Sequence, residues 1–272
     1  MKRDLKRLMP PGLRASVRGA YLALRRIPDL AGAYLHPWRR ESLSRLAAVR
    51  GTYEGRRAFI VGNGPSLRNM DLSLLRHEFT FGLNRVYLMF PSLGFETSCL
   101  VAVNDLVIEQ CVHEMQALSI PRFFSWRSRR FVAPGSRGSD LPTFMYTTYE
   151  SPKFAQDARG RLWEGATVTY VALQLAFHMG FRQVILIGVD HHFATQGGAN
   201  KTIVSDGEDP NHFSPGYFGK GFRWQLPDLA TSELAYSMAR DTFRDAGREV
   251  IDATIGGRLE IFPKADYNSL FK

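Results

Sequence analysis

Beyond residue 57 the chain alternates short apolar runs with longer stretches of helical periodicity. The runs at 58–61, 79–83, 99–103, 122–124, 184–189 and 249–251 read as strands, and several lack the polar alternation of a sheet with one wet face. Strands of that kind belong in a parallel sheet covered on both sides. Between them, Val168, Val171, Ala172, Leu175 and Met179 recur at helical spacing, with Thr167 placed to cap and Gly180 placed to stop, which predicts a helix over 167–179. A second helix is predicted over 228–246, with Leu234, Met238 and Phe243 on its apolar side and Gly247 at its end. The pattern predicts an α/β fold: a Rossmann-like, mostly parallel sheet with helices on both faces, whose ligands sit outside the carboxyl ends of the strands.

The unusual residues fall at those carboxyl ends. The first strand ends in Gly62-Asn63-Gly64, the second in Asn84-Arg85, the third in Asn104-Asp105 and the fifth in Gly188-Val189-Asp190-His191-His192. The glycines allow two readings. They can simply reverse the chain, or they can remove Cβ atoms so that backbone N–H groups approach a phosphate, helped by a helix starting near Ser66. The three asparagines favour a nucleotide, because an amide both donates and accepts and so suits a base edge or a ribose. Residues 191–227 have little periodicity but many aromatics, and read as a lid over the site. Its binding-capable members are His212, Tyr217, Lys220, Arg223 and Trp224, whereas Asp206, Glu208 and Asp209 read as a solvated acidic tip.

Charge changes the picture at one end only. The formal charge is +9, yet residues 1–57 carry fourteen cations against four anions, a net of +10, which leaves −1 on residues 58–272. A basic arm, 1–55, is therefore distinguished from a catalytic domain, 56–272. Leu13, Val17, Tyr21 and Leu24 share one face of a helix in that arm, with Arg14, Arg18 and Arg25 off it. Such a helix can pack on the domain, or it can lie on an anionic leaflet, where each cation contributes about 1 kcal/mol. No RNA-binding module or glycine-arginine repeat is present, so nucleic acid is not expected as a partner. Without an apolar signal region or a spanning-length apolar stretch, the chain is expected in the cytoplasm, peripheral at the inner face of the membrane if the arm binds there. Cys99 and Cys111 have neither metal-ligand spacing nor a disulfide framework, and Cys99 is expected as a buried thiol.

The ordered blocks "FIVGNGPSL", "FGLNR", "VAVND" and "GATVTYVALQLAFHMGFRQVILIGVDHHF" resemble the small bacterial sialyltransferases that use CMP-activated nonulosonic acids, and the related domain of flagellin-modifying motility accessory factors. The same block is similar to the archaeal 6-hydroxymethylpterin diphosphokinase family. The likeness covers about residues 57–193. It implies a metal-independent glycosyltransferase without Asp-x-Asp, and no such triplet occurs here. By the resemblance, Gly62, Asn63, Gly64, Ser66, Asn84 and Asn104 hold the nucleotide-sugar, together with Ala166 and Thr167, where the family pattern usually has serine-glycine, and with Asp190. Tyr217 is then expected to stabilise the departing phosphate and His212 to act as base, with His191 and His192 as competitors for that role. Arg85, Asp105, His191 and Arg223 are candidate donor or acceptor contacts.

The leading expectation is transfer of a sugar, such as a CMP-linked nonulosonic acid, to a polysaccharide or lipid-linked acceptor without a cofactor. The alternative is an ATP-dependent pterin diphosphokinase, which would need Mg²⁺ on acidic ligands such as Asp105 and Asp190. A metal held by Asp190, His191 and His192, a non-catalytic nucleotide-binding role and self-association into a homo-oligomer are left open.

Overall fold

The computed structural model describes residues 32–195 and 197–272. Eight strands form one sheet: β1 Arg57–Val61, β2 Thr80–Leu83, β3 Cys99–Ala102, β4 Arg122–Ser125, β5 Thr143–Thr148, β6 Arg161–Trp163, β7 Gln183–Ile187 and β10 Glu249–Asp252. Their order is β10-β7-β1-β2-β3-β4-β5-β6, and every pairing is parallel. Among the described residues four helices of three turns or more accompany them: α1 Pro37–Val49, α2 Asp105–Gln116, α3 Val168–Met179 and α4 Leu229–Asp245. The Rossmann-like α/β expectation holds, and all six strands read from the apolar runs are present.

Alternation along the strands divides the core between the two faces. Ala58 and Ile60 join Phe81, Val101 and the apolar side of α3, whereas Phe59 and Val61 join Leu100, Ala102 and the α2 residues Ile108, Cys111 and Met115. Both cysteines are buried free thiols. Helix α3 is capped by Thr167, ends at Gly180 with φ 96°, and is buried at every position but its first. Helix α4 differs from expectation in its orientation. Its buried side carries Ala235, Tyr236, Ala239 and Phe243, while Leu234 is 53% exposed.

Helix α1 falls within the basic arm, 1–55, that the sequence predicts to be helical. Pro37 opens this helix, His36 caps it, and its buried Arg39 donates to the carbonyls of Phe144 and Arg159, so this part of the basic arm is built into the sheet domain. Burial lowers the Arg39 pKa to about 10. The amphipathic face at Leu13–Leu24 lies outside the described residues, and with it the expectation of membrane contact. Among the described residues no helix is long and apolar enough to cross a membrane.

A histidine joins α1 to α3. His178 Nε2–H donates to the Leu46 carbonyl at 2.8 Å, and burial lowers the pKa of the ring, against the nearby Asp157 carboxylate. The unfolded chain therefore takes up this proton from about pH 6.5 downward, before the folded chain does, and stability falls through that window. The Asp157 carboxyl, held down to about 2 chiefly by Arg159, stays ionised until far lower pH. The thermal midpoint should thus decline between pH 7 and 5, and His178→Gln should flatten the decline. Equal slopes in the two proteins would remove His178 as its cause.

Candidate functional site

The chain leaves β1 toward β2 on one side and returns on the other as β7, so the strand order reverses between β1 and β7. Two glycine loops meet at that junction. The Gly62 N–H donates to Ile187 O at 2.8 Å and the Gly64 N–H to Gly188 O at 2.9 Å. Asp190 accepts from the Ser66 N–H at 3.0 Å and from the Ser66 hydroxyl at 2.7 Å. A Cβ on Gly62 would overlap the Gly188 carbonyl, and one on Gly64 would overlap the Asp190 carboxylate. The glycines therefore serve close approach of two loops, and the N–H groups of Gly62, Gly64 and Ser66 are already satisfied. Ser66 is buried in this knot, and the helical piece beginning beside it is a 3-10 turn of five residues.

Three adjoining hollows open outside the carboxyl ends of the strands. The first is lined by Gly62, Asn63, Gly64, Thr167, Asp190 and His191, with Ser232 and Tyr236 from α4. The middle one is lined by Asn84, Asn104, Glu164, Thr167 and His212, and the outermost by Asn104, Asp105, Tyr149, Asn200 and Leu234. Ala166 lines all three. Among the described residues the non-glycines with left-handed backbone are Asn84, Ala166, His191 and Asn200, and each lines at least one of these hollows. Such conformations cost on the order of 1 kcal/mol each and gather where a ligand needs the geometry.

Two buried amide oxygens, Asn63 Oδ1 and Asn84 Oδ1, have no hydrogen-bond partner among the described residues. They stand at the ends of the adjacent strands β1 and β2. The N-terminus of α3 enters the same space and brings a partial positive charge, although its Thr169 N–H is capped by the Thr167 hydroxyl and its Tyr170 N–H donates to Thr167 O. Beside it the Thr167 hydroxyl lies 3.3 Å from the Tyr236 hydroxyl. Burial raises the pKa of Tyr236, so this phenol stays protonated and able to donate. Asn104 is different. Its Oδ1 caps α2 through the N–H groups of Leu106 and Val107, and its Nδ2 donates to Gln225.

The segment over the hollows contains a short hairpin, β8 Thr202–Val204 with β9 Arg223–Gln225. It is docked on the strand ends: Phe213 N–H donates to Asn63 O at 2.8 Å, and the Arg68 side chain donates to the carbonyls of His212 and Phe213. Asp209 corrects the expected solvated tip. It is only 6% exposed, accepts from the N–H groups of Asn211 and Phe218, and receives His212 Nδ1–H at 2.8 Å. The His212 ring also stacks on Tyr217, centroids 4.0 Å apart and nearly parallel. This fixes the ring with Nδ1 protonated and leaves the Nε2 lone pair as its free base.

Several expected contacts lie away from the hollows or are engaged by neighbouring side chains. Tyr217 is fully buried beneath His212, its hydroxyl accepting from the Arg85 N–H at 3.3 Å, and lines none of the hollows. Arg85 is buried among Tyr87, Glu114 and the Tyr217 carbonyl. Arg223 pairs with Glu109 on the outer side of α2 at 2.9 Å. His191 reaches the first hollow but bonds Glu233 at 2.8 Å. Asp105 lines the outermost hollow with its carboxylate held by Ser128 and Arg130. No group of three or more histidine, cysteine or acidic side chains suited to a metal occurs among the described residues. A charged pair unforeseen from the sequence lies behind the middle hollow: Arg127 with the buried Glu164, 2.7 Å apart. Burial works against the Arg127 cation, but Glu164, Tyr149 and Asp105 outweigh it and hold its pKa above the ordinary guanidinium value.

The reversal of strand order, the two unpartnered amides and the helix N-terminus lining the same hollows define a Rossmann-like α/β protein with its candidate site at the topological switch point. The family model 6-hydroxymethylpterin diphosphokinase MptE-like matches residues 38–196, more than half of the chain, and the chain belongs to that family. Among solved structures it is similar to the MAf glycosyltransferase from Magnetospirillum magneticum AMB-1, with 17% identity and a TM-score of 0.47. That match covers 96% of this chain but only 43% of the other, so the chain spans less than half the length of that protein. No curated protein matches the chain.

Proposed function

We propose that the protein is a glycosyltransferase that binds a nucleotide-sugar across the first and middle hollows and passes the sugar to a glycan or lipid-linked hydroxyl. The observation that carries this reading is the pair of unpartnered amide oxygens, Asn63 Oδ1 and Asn84 Oδ1, beside the α3 N-terminus. Acceptor atoms call for a ligand with donors, such as ribose hydroxyls or the exocyclic amine of a base, while the helix end calls for a phosphate. A CMP-linked nonulosonic acid offers all three groups.

In this reading the acceptor hydroxyl attacks the anomeric carbon as the bond from that carbon to the phosphate oxygen breaks. His212 Nε2 takes the hydroxyl proton, and the nucleotide leaves with the bonding electrons. Charge developing on its phosphate meets the α3 N-terminus and the hydroxyls of Thr167 and Tyr236, donors fixed before the reaction begins. Tyr236 thus takes the part first expected of Tyr217. The pterin diphosphokinase alternative draws less support, because both carboxylates suited to Mg²⁺ are engaged: Asp105 with Ser128 and Arg130, Asp190 with Ser66.

Thermal shift with CMP, CDP, UDP, GDP and ATP, with and without Mg²⁺, tests the reading. A ligand at 100 times its dissociation constant stabilises a fold by about 2.7 kcal/mol, which is readily seen. CMP should stabilise the protein without metal, and Asn63→Ala or Asn84→Ala should each weaken its binding by roughly tenfold, about one hydrogen bond; Asn63→Ala should leave the unliganded midpoint near that of the parent, and Asn84→Ala should lower it modestly, because alanine tolerates φ 48° less well than asparagine. Binding of ATP alone, and only with Mg²⁺, would overturn the proposal.

A further inference from the structure

We infer that the outermost hollow is the acceptor subsite, and that it takes an uncharged pyranose stacked on the exposed ring of Tyr149. The inference rests on the glycosyl-transfer reading and assigns the second substrate its place. Tyr149 follows directly on β5 and is 61% exposed, although it belongs to the lining of both the middle and the outermost hollows. It is nevertheless held. The Arg127 guanidinium lies 4.1 Å from its ring centroid. Arg127 is fixed in turn by Glu164 at 2.7 Å and by the carbonyl and hydroxyl of Thr147 at 3.2 and 3.1 Å. A buried ion pair contributes little net stability against an apolar replacement, but it fixes orientation well. Here the fixed object is an aromatic face with its other side open to water.

The opposite wall suits the same ligand. Leu234, 53% exposed on α4, offers an apolar patch, and Thr231 and Asn200 supply polar edges beside it. Two of the carboxylates of this hollow are paired with cations, Asp105 with Arg130 and Glu150 with Arg161 at 3.1 Å, while Asp228 caps α4 through Thr231 and is hydrogen-bonded by Asn200, keeping its charge. A wall with this small negative surplus disfavours an anionic sugar and admits a neutral one. A pyranose has the required surfaces, an apolar C–H face for the ring and hydroxyls around its edge. The middle hollow, lined by both Tyr149 and His212, connects such a sugar to Nε2 of the base. Tyr149 does not line the first hollow, where Asn63 stands, so a nucleobase placed on its ring would leave the Asn63 amide oxygen without a donor.

Saturation-transfer NMR on the full chain with CMP tests this, using the methyl pyranosides of galactose, glucose and N-acetylglucosamine as probes. Ring C–H protons of at least one probe should receive saturation at millimolar concentration. Tyr149→Ala should weaken that probe by about tenfold and Tyr149→Phe should retain it, because the ring face rather than the hydroxyl makes the contact. CMP should still bind all three proteins, and Tyr149→Phe should keep the parent's thermal midpoint, whereas Tyr149→Ala, which uncovers Arg127, lowers the midpoint without unfolding the chain. The inference is overturned if no probe contacts the parent protein, if Tyr149→Ala binds the sugar unchanged, or if it loses CMP in place of the sugar. CMP signals in the same samples read the nucleotide site separately: sugar contact at Tyr149 without CMP binding would count against the nucleotide reading and not against this subsite.

Discussion

His212→Gln and Asp209→Asn should each lower the rate of sugar transfer by roughly 10²–10⁴-fold, the usual contribution of general-base catalysis, with nucleotide affinity nearly unchanged. Glutamine removes the base outright. Asparagine acts through the proton: its amide can present N–H groups to Nδ1, which favours the tautomer with Nε2 protonated and no lone pair for the acceptor hydroxyl. The carboxylate of Asp209 lies within 2.9 Å of Nδ1 through both oxygens, so this swap of donor for acceptor falls directly on the ring. The measurement is single-turnover release of nucleotide from the donor that the ligand panel selects, between pH 5 and 9. Near-parental turnover in both variants would move the base to His191 or His192.

Gly64→Ala should destabilise the fold by roughly 2–4 kcal/mol, since its Cβ would occupy the space of the Asp190 carboxylate and expel it from Ser66. Denaturant unfolding measures the loss, and a double variant identifies its source. Asp190→Ala removes the obstructing group, so adding it to Gly64→Ala should cost clearly less than it does alone. The opposite pattern, a Gly64→Ala protein of normal stability that no longer binds nucleotide, would show that the glycine faces the ligand.

That contrast marks what the sequence could and could not say. The runs at β1, β2, β3, β4, β7 and β10 were legible because a parallel strand covered on both faces leaves an unbroken apolar stretch, and α3 because Thr167 and Gly180 punctuate it. Strand β5, Thr143–Thr148, was passed over because its threonines read as polar, though they are buried and Thr147 serves Arg127 and Glu164. β6, β8 and β9 are three residues each, too short for any period to show. The site was legible as a place, the carboxyl ends of the strands, better than as a set of roles. Asn63, Asn84 and Asn104 look alike in sequence, yet Asn104 closes a helix while the other two keep an amide oxygen unpartnered. Asn104 followed by Asp-Leu-Val-Ile was the available sign of a capped helix. Nothing local distinguished Asp209 from its acidic neighbours, because its burial depends on Phe218 and His212 folding back over it.

The position of β7 between β1 and β10 has a consequence for how the protein is made. On the ribosome β1 appears first and can pair at once only on its β2 side, so its other flank, with Ala58 to Val61, stays an open edge until residues 183–187 have been synthesised. More than 120 residues separate Ser66 from the Asp190 that anchors it. Closure at such range is slow, and an uncovered apolar edge invites pairing with other chains. A nascent chain halted before residue 183 would therefore hold six strands of the sheet, a sticky margin and no switch-point pocket, and nucleotide could rescue it only after the last part of the sheet had arrived.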